Sequence, residues 1–235
     1  MMSMAATRIS IIATTLLILS GVSAWSSGIK QGLDKANPII VDKAKGEIRA
    51  LAVLQPGAFS GGWLKRRPGH HAVVWQGGKS AGEALLTTFA SDSELYTAMI
   101  AIGAKPGNNL TQAVWDDRND DNSKAPETRV EGSPVDALVW WDGLEKPLPL
   151  KELLIDPDGK GVDLRFGGQK ALIPVWRSGC VICLYSCPGG KISNHLYTIR
   201  DYVDGKKAFA VNKALVPDGK REAVVIFRLR KDAGK

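Results

Sequence analysis

The chain has 235 residues, 44% of them hydrophobic and 23% charged. That composition excludes a disordered, collagen-like or low-complexity protein and provides enough apolar surface for one large domain. The net charge is +7, but acids are interspersed among the bases and the longest basic run is Lys65-Arg66-Arg67. No nucleic-acid partner is therefore expected.

The first segment reads as a targeting signal. Arg8 is followed by the apolar run Ile9 to Leu19 and by Gly21-Val22-Ser23-Ala24, with small residues where a signal peptidase needs them. Residues 1–24 are expected as a signal peptide, 25–37 as a linker and 38–235 as one domain. The apolar run is short for a bilayer span and no second one follows, so no stable membrane insertion is expected after cleavage. The implied location is periplasmic or secreted.

From Pro38 onward the pattern alternates as strands do. Ile39-Ile40-Val41 and Gly46 to Leu54 predict two strands joined by the turn Asp42 to Lys45. Pro56 to Gly69 is a loop rich in glycine and proline that carries Trp63. His70 to Trp75 and Gly82 to Phe89, separated by Gln76-Gly77-Gly78-Lys79, predict a hairpin. The spacing then predicts a helix over 91–103. Ser91 and Glu94 form a capping box, Leu95, Met99 and Ile102 share a face, and Gly103 ends it.

Val135 to Trp141 predicts a strand, with Trp140 and Trp141 on opposite faces, one in the core and the other at the surface. Leu148 to Ile155 reads as a short helix or an edge strand. Asp163 to Gly168 is a strand, and Ala208 to Val211 with Ala223 to Leu229 predicts a terminal strand pair. The fold class read from this is α+β, with a mainly antiparallel sheet, one clear helix and a cysteine-rich loop or short helix.

The three cysteines of the chain fall within one short run, Cys180-Val181-Ile182-Cys183-Leu184-Tyr185-Ser186-Cys187-Pro188. The spacing C-x2-C-x3-C-P matches the last three cysteines of the bacterial ferredoxin pattern. Four readings stand side by side. Cys180, Cys183 and Cys187 hold a [4Fe–4S] cluster with an outside fourth ligand, His195 being the nearest candidate. They form a dithiol/disulfide pair at Cys180 and Cys183 with Cys187 as a further partner. They bind zinc or copper as a Cys3His site. Or they make a structural disulfide and a buried thiol, with no cofactor. On a helix the three positions would share a face, and in a loop the flanking glycines would let them converge. The signal has a single arginine where exported cluster proteins carry a pair, which counts against a cluster loaded before export. C-type haem is excluded because Leu184 stands where histidine is required.

Elsewhere the chemistry is sparse. His70 and His71 alternate faces on a strand and read as a solvated or core-edge pair. Asp116, Asp117, Asp120 and Asp121 lack the glycine and glutamate of a calcium loop. No serine-hydrolase, zinc-protease or phosphate-loop motif is present.

Three stretches carry a family resemblance: Ala104-Lys105-Pro106-Gly107-Asn108-Asn109-Leu110, Asp163-Leu164-Arg165-Phe166-Gly167-Gly168, and Gly179 to Pro188 with Ile192-Ser193-Asn194. In these the chain resembles the YdjY-domain family of exported bacterial proteins, over about Pro38 to Tyr202. The resemblance implies an exported, cysteine-centred module, and members are sometimes labelled ferredoxin-like. The expected function is a redox or metal-binding accessory protein with a redox partner protein, acting in electron transfer rather than as a stand-alone enzyme. A thiol–disulfide protein and a non-catalytic binding module are the alternatives.

Overall fold

The structure, a computed structural model, describes residues 28–59, 69–156, 158–204 and 208–230. The expected signal peptide, Trp63 and the basic triplet lie outside the described residues.

The strands close on themselves. β2 (Glu47–Leu54) pairs with β12 (Arg221–Leu229), and β12 with β5 (Pro134–Trp140). The circuit continues through β8 (Leu164–Arg165), β10 (Ile192–Asn194), β9 (Cys180–Cys183), β3 (His71–Trp75) and β4 (Leu86–Thr88), which returns to β2. The expected α+β fold with a mainly antiparallel sheet is thus corrected to a closed eight-stranded barrel, mostly β, with a few short helices. Closure leaves few unpaired strand edges.

Closure turns on β2. One of its edges is taken by β12 along its whole length, from Leu54 opposite Arg221 to Glu47 opposite Arg228. The other is shared. β1 (Ile39–Asp42) covers Glu47 to Ala50, and β4 covers Ala52 to Leu54. Nothing in the local alternation of β2 distinguishes these two halves, so the closure leaves no trace in the sequence of this strand. The β1–β2 hairpin is as expected.

Two other pairings also differ from expectation. β3 and β4 run parallel, with Val73 opposite Leu86 and Trp75 opposite Thr88, instead of forming a hairpin. A single turn of 3-10 helix at Ala81–Glu83 redirects the chain between them. β11 (Ala210–Val211) pairs with β7 (Leu154–Ile155) rather than with β12. Leu148 to Ile155 is neither helix nor single strand: β6 (Leu148–Pro149), a 3-10 turn and β7 follow one another.

Alternation divides each long strand between two apolar layers. Ile48, Ala50, Ala52 and Leu54 of β2 join Ala223, Val225 and Phe227 of β12 in the main core. Leu51, Val224, Ile226 and Trp140 form a second cluster on the opposite face. Leu33, from the stretch read as a linker, is buried in that second cluster. Trp140 and Trp141 do take opposite faces, yet both are buried, so neither is the surface residue expected.

Among the helices, α1 (Pro56–Phe59) is a single turn and α2 (Asp92–Ala101) is the expected one. Ser91 Oγ accepts from the Glu94 amide, and the Glu94 carboxylate accepts from the Ser91 amide. Leu95, Ala98 and Met99 are buried. α3 (Ala113–Asp116), α4 (Ile173–Trp176) and α5 (Ile199–Val203) are short. No helix among the described residues is long and apolar enough to cross a membrane.

Candidate functional site

The cysteine run is neither a loop nor a helix at its start. Cys180 to Cys183 is β9, a barrel strand between β3 and β10. Branched Val181 and Ile182 suit a strand buried on both faces. Gly179 makes the strand's entry: its φ is +70°, and a Cβ there would stand 2.6 Å from the Cα of Gly78. After Cys183 the backbone leaves the sheet and folds back. The Leu184 amide donates to His70 O, that of Ser186 to Tyr197 O and that of Cys187 to Tyr185 O. Ser186 Oγ donates to Asn194 O and accepts from the Val130 amide. These bonds fix the fold-back that returns Cys187 to the strand.

All three thiols are free and buried, Cys183 completely. Cys180 and Cys183 stand at the two ends of β9, and Cys187 follows the fold-back. Burial, then the Cys180 contact, pushes the Cys183 thiol well above its ordinary range. The Cys183 contact, then burial, does the same at Cys187. Working against this, the backbone at Tyr185 lowers the Cys183 thiol, and that at Gly189 and Gly190 lowers Cys187. Gly190 is required here: a Cβ would lie 2.9 Å from Cys183 Cβ and 2.7 Å from Ser193 Oγ.

Three further polar side chains frame the thiols. His71 of β3, buried, places Nδ1 3.3 Å from Cys180 Sγ. Burial, then its neighbour His70, holds its imidazole well below the usual range, so the ring is neutral. Lys191 is 2% exposed and its Nζ donates to Gly189 O at 2.9 Å. Burial lowers its affinity for a proton; Asp92, Cys180 and Cys187 favour the ammonium. Asp92, in the first turn of α2, is likewise buried and has its carboxyl raised by desolvation, against the pull of Lys191.

Sequence reasoning named the three cysteines and His195 but not His71, Lys191 or Asp92. His195 Nδ1 donates to Val130 O at 2.7 Å, which leaves Nε2 as its acceptor nitrogen. The carbonyl can only accept, so Nδ1 carries the proton. The pairing of β3 with β9 that brings His71 to Cys180 spans 109 residues of chain and leaves no local trace.

Chemically, burial keeps the Cys183 and Cys187 thiols protonated in the metal-free protein. Thiolate sulfur and imidazole nitrogen are the donors that soft and borderline metals select. Among the described residues, no group of three or more His, Cys, Asp or Glu side chains stands ready as a metal-ligand set.

Fold and site together define a small closed β-barrel with a buried three-thiol centre on one of its strands. The chain belongs to the YdjY domain family, whose model matches residues 39–228. It is 29% identical over 199 residues to the uncharacterized protein YdjY of Escherichia coli (strain K12), covering 84% of this chain and 81% of that protein. No solved structure matches.

Proposed function

We propose that this protein is an exported accessory module in which Cys180, Cys183 and Cys187 bind a thiophilic metal, as a single ion or an iron–sulfur centre, for electron transfer or metal handling. The observation that carries this is the burial of three free thiols along one short stretch, with His71 Nδ1 3.3 Å from Cys180 Sγ. Burial shields the sulfurs from bulky partners. A bound metal would supply electrostatic compensation for the thiolates and, if redox-active, an electron.

The test is anaerobic purification followed by metal analysis and absorbance. Stoichiometric metal that is lost on Cys183→Ser upholds the reading; visible thiolate-to-iron bands identify the iron–sulfur form. A wild-type protein that takes up neither iron, zinc nor copper overturns it.

The three free thiols, so close along the chain, favour a second reading, a dithiol that cycles to a disulfide between Cys180 and Cys183 with Cys187 as a further partner. Two thiols would give up two electrons and two protons to a disulfide-bearing partner, which would be reduced to its dithiol. Mass spectrometry of alkylated protein before and after reduction checks it: a mass difference confined to one cysteine pair would support cycling.

A further inference from the structure

We propose that the rings of Trp176, Trp115 and Tyr202 form a relay that carries single electrons from the buried thiols to the surface. This rests on the dithiol reading above and adds the route by which the thiols are oxidised without touching the oxidant. Such a route matters because all three thiols are buried. The relay opens at a pocket of about 230 Å³ lined by Gln112, Trp115, Val175 and Trp176, where Val175 is 65% exposed. The short helices α3, α4 and α5 each contribute one ring. The Trp115 ring centroid lies 5.6 Å from that of Trp176 and 6.0 Å from that of buried Tyr202. From Tyr202 two branches reach the cysteines. One runs through His70, at 4.8 Å, and His71, a further 3.8 Å, whose Nδ1 is 3.3 Å from Cys180 Sγ. The other is Tyr185, whose ring is 5.3 Å from Tyr202 and which stands in the chain between Cys183 and Cys187. Core rings also pack at these distances for burial alone. What singles these out is an unbroken order from open pocket to sulfur. Indole, phenol and thiol are the side chains that release one electron most readily, whereas the two imidazoles bridge without being oxidised. The Arg118 guanidinium lies over Trp115, 4.7 Å from its centroid, and disfavours positive charge there, so oxidation arriving at Trp115 is driven inward. Overall, two thiols lose two electrons and two protons and form one disulfide. Two equivalents of a one-electron outer-sphere oxidant each gain one electron, the protons pass to solvent, and every ring ends as it began.

The experiment oxidises the reduced full chain with photogenerated tris(bipyridine)ruthenium(III), which is too bulky to enter the core. Disulfide is read by alkylation and mass spectrometry, and ring radicals by transient absorption. Tyr202→Phe keeps a ring in place but removes the oxidisable phenol. It is expected to slow disulfide formation several-fold and to prolong the tryptophan radical. Trp115→Phe is expected to slow disulfide formation likewise. Tyr96→Phe, whose ring packs on Phe166 outside the relay, is expected to match the wild type. Hydrogen peroxide, which takes two electrons at sulfur directly, is expected to oxidise all four proteins alike. Photo-oxidation of Tyr202→Phe at the wild-type rate overturns the relay and leaves the dithiol reading standing. So does a variant slowed equally with both oxidants, which marks a packing role, and so does a wild type that forms disulfide with peroxide but none with ruthenium(III). A wild type that forms no disulfide with either oxidant rejects both readings.

Discussion

At the scale of single residues, the site is held by contacts that leave no room for change. Gly190 is the sharpest case, because any Cβ would press on the Cβ of Cys183 and on Ser193 Oγ. The neighbours belong to β9 and β10, which are paired in the barrel and have little freedom to retreat. Gly190→Ala is expected to destabilise the protein by about 1–3 kcal/mol through overpacking, read as a lower urea midpoint. Because the strain falls on Cys183, metal uptake is expected to drop in the same variant. An unchanged midpoint and uptake would show that the turn relaxes. The triad of cysteines was legible because their clustering is a property of composition and spacing. Lys191 was not, since a lone lysine in sequence is almost always solvated. Only its burial against Gly189 O distinguishes it.

At the scale of elements, α2 shows local chemistry succeeding. Ser91, Glu94 and the apolar positions Leu95 and Met99 specify a helix from within the helix itself, and the structure has it. Ser91→Ala removes one accepted amide bond and is expected to cost about 1 kcal/mol, measured by thermal or urea unfolding. Asp92 follows directly in the first turn and faces the buried Lys191, so the cap also sets where one charge of the site stands. The expected change in metal affinity is nonetheless small, since Leu95 and Met99 still anchor the helix in the core. The strand pairings fared worse. β3 and β4 carry the alternation and turn residues of a hairpin and yet run parallel. β9 has i, i+3, i+7 cysteine spacing and is a strand. In both cases the pairing partner, not the local pattern, decides.

At the scale of the whole molecule, Asp163 ties the ends of the barrel together. It pairs with Arg165 at 2.9 Å and with Arg230 just beyond β12, and it lies beside β8. Burial pushes its carboxyl up, but hydrogen bonds from Arg230 and Arg165 outweigh this and hold it below the ordinary value of 3.8. A depressed carboxyl stabilises the fold above its unfolded value and loses that contribution as pH falls through the folded one. Stability is therefore expected to decline below about pH 4. Asp163→Asn is expected to flatten that part of the acid limb and to lower the midpoint at neutral pH. Urea midpoints at pH 3 and pH 6 test this; parallel loss in both proteins would assign the acid limb to other carboxylates.

What the sequence determined by itself is whatever depends on neighbours along the chain: the capped helix at Ser91, the alternating strands β2, β5 and β12, and the gathering of Cys180, Cys183 and Cys187 into one run. Tertiary structure alone decided that β4 returns to β2 and closes the barrel, that β9 stands beside β3, and that His71 rather than His195 touches a thiol. The physical reason is common to all three. Strand closure and side-chain encounter depend on the twist and register of segments far apart in sequence, and no local periodicity encodes them.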